Sequence, residues 1–164
     1  MKYLQTGAFQ NHPLMRLTLL LTAILLLGFW LTNFALYFEK MDLTPDSVQK
    51  YYLGDEATYR MPRTYQTMVE VTHMHLPMMA MVVLLLTHLL IFAPFTQRLK
   101  VAFIVAAFTC AFLDEAAGWL VRFVHHQFSW VKVIAFVGLQ SVLAFLLGSW
   151  GWFLLRGKRK EERG

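Results

Sequence analysis

A chain of 164 residues that is 57% hydrophobic, with a formal net charge of +5, is too apolar for an ordinary soluble domain, where the apolar share is about 45–50%. Its single cysteine, Cys110, excludes an intrachain disulfide or a cysteine-based metal framework. Much of the positive charge crowds at Arg156, Lys158, Arg159, Lys160 and Arg163. That tail lacks the aromatic interleaving of a nucleic-acid surface, so no DNA or RNA partner is expected.

The chain starts with a short polar stretch, and Pro13 suits the first turn of a helix. Four charge-poor blocks follow, at 17–38, 71–93, 101–121 and 133–155. Each is close to the ~20 residues needed to cross a hydrocarbon layer. They predict an all-α integral membrane protein, an antiparallel bundle of four transmembrane helices at 14–38, 69–93, 99–122 and 131–155. These form a single membrane domain over 1–164, with an external loop at 39–68. The first block is longer than a signal-peptide core and no small-x-small site follows it, so it reads as a retained span. Lys2, Arg16, Arg98, Lys100 and the basic tail flank the spans on one side. The positive-inside rule then places both termini in the cytoplasm, with the protein in the cytoplasmic (inner) membrane.

In the external loop, Thr44-Pro45 predicts a short helix through Tyr52, ended by Gly54. Tyr51, Tyr52, Tyr59 and Tyr65 suit the headgroup boundary. Pro77 predicts a kink within the second span and Pro94 its end. Trp119 and Trp130 are expected at the outer boundary, with Trp150 and Trp152 at the inner one. Gly138, Ala144, Gly148 and Gly151 are expected to let a neighbouring helix approach the fourth span.

Ionisable groups inside hydrocarbon are costly and usually functional. On the second span, a turn of about 100° per residue puts Glu70, His73, Met74, Pro77, Met81, Leu84 and His88 on one stripe, with His75 about 140° from Glu70. His73 and His88 are then about 22 Å apart along the axis. The third span carries Asp114, Gly118 and His125 on one face, and Glu115, Trp119, Arg122 and His126 on the adjoining one. Antiparallel threading brings His73, His75, His125 and His126 to a common depth, beside Glu70 and Arg122.

Three chemistries would use such a site. Paired imidazoles can clamp b-type haem. Histidines two-thirds of a span apart resemble those of the membrane b-type cytochromes, and that resemblance implies His73 with His125 as axial ligands and His75 and His126 as alternates; Gly118 and other small residues would admit either a flat macrocycle or plain helix contact. The resemblance also implies an inner ligand at His88, whose partner would have to be His12 or a histidine of another chain. Alternatively, the histidines together with Met74, Met78, Met79 and Met81 suit copper. Finally, Asp114, Glu115, Arg122 and Glu70 suit proton or charge handling beside a quinone. The leading expectation is a small membrane subunit of a respiratory-type electron-transfer system, holding haem b near the outer face. It would pass electrons between quinol and an external redox partner, alongside other membrane subunits. A non-catalytic structural or assembly subunit, and a copper-binding or copper-delivery protein, are the alternatives.

Overall fold

A computed structural model describes residues 12–156, with side chains through Leu154. Lys2 and the tail cations beyond Arg156 lie outside the described residues. The described chain is helical: α1 (Pro13–Lys40), α2 (Pro45–Leu53), α3 (Tyr65–Ile91), α4 (Gln97–Phe123) and α5 (Ser129–Arg156). All but α2 are long and apolar enough to cross a membrane. The protein is therefore an all-α, four-span membrane bundle.

The helices outrun the charge-poor blocks because polar residues cap them. Pro13 sits in the first turn of α1. The hydroxyls of Thr44, Thr64 and Thr96 accept from the backbone N–H groups of Ser47, Thr67 and Leu99, at 3.3, 3.2 and 3.4 Å. Caps of this kind stabilise a helix by about 1 kcal/mol each. Thr64 thus starts α3 at Tyr65, which shortens the loop relative to the 39–68 span expected. The helix continues through Pro77. Gly54 ends α2 at φ 93°, where a Cβ would lie 2.7 Å from the Arg60 carbonyl oxygen. Only glycine fits that turn.

Packing is most extensive between α4 and α5; α3 rests on both, α1 chiefly on α5, and α2 lies across the end of α4 and α5. Two apolar clusters result. The larger, at the α3–α4 turn end, includes Val83, Leu86, Ala107, Leu139, Leu143, Leu146 and Leu154. The smaller, under α2, joins Tyr37, Met41, Val48, Tyr51, Tyr52, Met68, Val121 and Phe136. Within it, the Tyr37 and Phe136 rings stack at 3.7 Å.

Several small residues have other roles than expected. Gly138 does permit close approach, since a Cβ there would stand 3.0 Å from Cys110 Sγ, whereas Gly148 and Gly151 have nothing within 4 Å. The space at Gly118 is taken by the Tyr52 phenol, whose oxygen would be 2.7 Å from an added Cβ. A macrocycle therefore has no vacancy there. Trp150, near the end of α5, is buried in the larger cluster.

Candidate functional site

A polar cluster lies within the bundle where α3, α4 and α5 meet below α2. Lys132 is in the first turn of α5, where the helix dipole disfavours a cation, and it is only 8% exposed. Its ammonium stands 2.9 Å from Asp114 Oδ1 and donates to the Asp114 backbone carbonyl at 2.8 Å. Asp114 Oδ1 has no hydrogen-bond partner of its own. The carboxylate contact is thus one of charge, and the aligned bond goes to the backbone.

Glu115 points to another set of partners, as adjacent positions about 100° apart require. His75 Nδ1 lies 3.4 Å from Glu115 Oε2. The Thr72 hydroxyl donates to Glu115 Oε1, and the Trp119 indole N–H donates to Thr72 at 2.8 Å. The sequence grouped Glu115 and Trp119 on one face of α4; Thr72 of α3 is the link between them.

Beside this cluster is a cavity of about 210 Å³. It lies between α1 and α3, with α4 and α5 behind it and Tyr51 and Tyr52 of α2 at its end. Phe29, Leu36, Met78, Met79, Phe136 and Leu139 supply apolar walls; His75, Asp114, Glu115, Lys132, Gln140 and Asn33 supply convergent polar groups. Lys40 and Arg63 line it as well. Gln140 is 4% exposed and its Oε1 has no hydrogen-bond partner, a state that normally costs about 1–3 kcal/mol. An apolar pocket with a few placed polar groups is the usual form of a small-molecule site.

Tyr52 closes the cluster from above. Burial pushes its phenol up from the usual value, against the lowering effect of nearby Lys132. A raised folded-state value means that its contribution to stability is intact below about pH 10 and is lost as pH rises through the folded-state value. Thermal unfolding measured across that alkaline range should show a falling midpoint, and Tyr52→Phe should flatten the fall.

The other expected site residues are dispersed. Arg122 donates from Nε to the Arg63 carbonyl at 2.7 Å, tying the end of α4 to the loop. The Arg63 guanidinium covers the Tyr51 ring at 4.2 Å. His125 and His126 stack on each other at 4.3 Å in the α4–α5 turn, and His125 Nδ1 accepts from the Gln127 N–H at 3.2 Å. His73 is exposed on α3. His88 packs edge-on against Phe92 at 5.6 Å. Glu70 accepts from Gln66 Nε2 at 2.8 Å. No three His, Cys, Asp or Glu side chains come together as a metal-holding group among the described residues. The methionines also divide: Met79 and the half-exposed Met78 line the cavity, while Met74 and Met81 are exposed away from it.

Lys132, Thr72, Tyr52 and Gln140 were not legible as site residues. The usable signal was a lone lysine in the first turn of one span, matched in depth by an aspartate on the span before it.

Neither a curated protein nor a solved structure matches the chain. A family model described as a transmembrane helical domain matches residues 42–162, which take in α2 to α5 and leave α1 outside. By that match, the chain belongs to the Aq_1264_TM family of transmembrane helical domains.

Proposed function

We propose that the protein is a membrane subunit of an electron-transfer system, with both termini cytoplasmic, that holds the headgroup of a lipid-soluble quinol in the cavity. The observation that carries this reading is the placement of the His75–Glu115 pair on the wall of a cavity open to an amphipathic ligand. At 210 Å³ the cavity is below the ~300 Å³ at which drug-sized sites begin. It suits a ring headgroup whose tail lies among lipids.

The proton chemistry follows from the tautomer. With Nδ1–H directed to Glu115, His75 keeps Nε2 free to accept a proton from a ring hydroxyl, and the carboxylate stabilises the resulting imidazolium. Thr72 and Trp119 hold Glu115 in register. Gln140 offers its partnerless carboxamide oxygen to the second hydroxyl. Oxidation of a quinol releases two protons and two electrons. His75 takes one proton from the ring and the other leaves by the cavity mouth; the electrons pass to a redox partner outside this chain. No step is routed through haem b or copper at His73, His75, His88, His125 or His126, because the chemistry of the cavity needs neither.

A purely structural reading draws on a specific observation: Asp114 and Glu115 already have protein partners. Photolabelling separates the two. A short-chain azidoquinone irradiated with the protein in nanodiscs should give adducts on Met78, Met79 or Phe136 that excess quinol suppresses. Adducts confined to outward residues such as Met74, or insensitive to quinol, favour the structural role.

A further inference from the structure

One face of α3 presents a physical contradiction. Glu70, His73, Pro77 and His88 are exposed along it, together with Met74, Met81 and Leu84 at 70%, 68% and 61%. The residues α3 buries, including Met68, Val82, Val83, Leu86 and Leu90, are on the other side, against α4 and α5. By helical geometry these positions share one stripe within the broader exposed side of α3, and Glu70 to His88 covers about 27 Å of it, nearly the hydrocarbon thickness. Ionisable side chains inside a span almost always face protein or a watery cavity. Here a carboxylate and two imidazoles, towards the two ends of the span, point away from both. Glu70 and His73 make no ion pair with any described residue of their own chain, although they are one turn apart.

We propose that this stripe is the interface of a homodimer, two copies packed α3 against α3 about a two-fold axis normal to the membrane. A two-fold interface must be self-complementary, with residue i meeting j and j meeting i. Glu70 and His73 satisfy that rule: acid and base one turn apart on one stripe meet their opposites in the second copy, giving two reciprocal Glu70–His73 pairs at one depth. At the other end each His88 meets the His88 of the second copy, where one neutral ring donates and the other accepts. Between them Met74, Met81 and Leu84 pack across the axis; methionine adapts to irregular apolar contact. The charge pattern is what selects a second copy over another protein, because the stripe complements itself. The inference stands apart from the quinol reading, as none of these stripe residues lines the cavity.

Cysteine cross-linking tests it. Cys110 is the only native cysteine, so Cys110→Ser gives a silent background. Within it, Met81→Cys and Met74→Cys should form disulfide dimers on mild oxidation in native membranes, whereas Ile24→Cys on the exposed face of α1 should not. In nanodiscs, Glu70→Gln should raise the dimer dissociation constant about tenfold or more, and the exchange Glu70→His with His73→Glu should restore it. Equal cross-linking at Ile24, a monomer at all concentrations, or a different protein cross-linked at Met81 would overturn the proposal.

Discussion

Replacing Lys132 with methionine is expected to destabilise the bundle by about 3 kcal/mol, because it leaves Asp114 inside the membrane without its counter-charge. Asp114→Asn should cost a similar amount by orphaning the ammonium. The pair is nonetheless poor evidence of net stability, since withdrawing two charges from water offsets most of their attraction. The double variant Lys132→Met with Asp114→Leu should therefore recover most of the loss and unfold near the wild-type midpoint. Equilibrium unfolding in mixed micelles checks both statements. Additive losses in the double variant would mean that the two side chains do not act as a pair, despite their 2.9 Å separation.

That pair also shows what the sequence left unread. The four spans were legible because each apolar block was long enough to cross a membrane, and Thr44 with Pro45 announced α2 through its cap. Lys132 falls inside the fourth helix expected at 131–155 but just before the charge-poor block at 133–155, so the hydropathy pattern alone gives it no role. The helix begins at Ser129 instead and turns the side chain inward. Gln140 and Thr72 carry no charge and left hydropathy undisturbed. The histidines were legible in depth only: threading gives depth, but the direction of a ring around its helix is set by packing. His75 and Glu115 do meet, yet His125 and His126 turn to each other and His73 faces outward. Asp114 and Glu115, on adjoining faces of α4, meet separate partners: Lys132 for the first, His75 and Thr72 for the second.

Under the proposed quinol chemistry, Glu115→Gln is expected to have the largest effect on function, because it removes the group that would fix the His75 tautomer and balance its charge. The isosteric amide keeps the cavity shape and can still meet Thr72, so a bound headgroup should remain. What should be lost is proton acceptance, and with it 10²- to 10⁴-fold in rate, the usual contribution of a positioned base. His75→Gln should match it. A variant that loses quinol binding and chemistry together would instead assign Glu115 to shaping the cavity.

The proposed function turns on a proton passed between a cavity-bound ring and the His75–Glu115 pair. Infrared difference spectra of quinone-loaded nanodiscs, recorded as an electrode cycles the quinone between its two redox states, observe that event at the carboxyl group. Carboxyl and imidazole bands should change with the redox state, with the carboxyl band absent in Glu115→Gln. Identical spectra for the variant and the wild type would contradict the proposal.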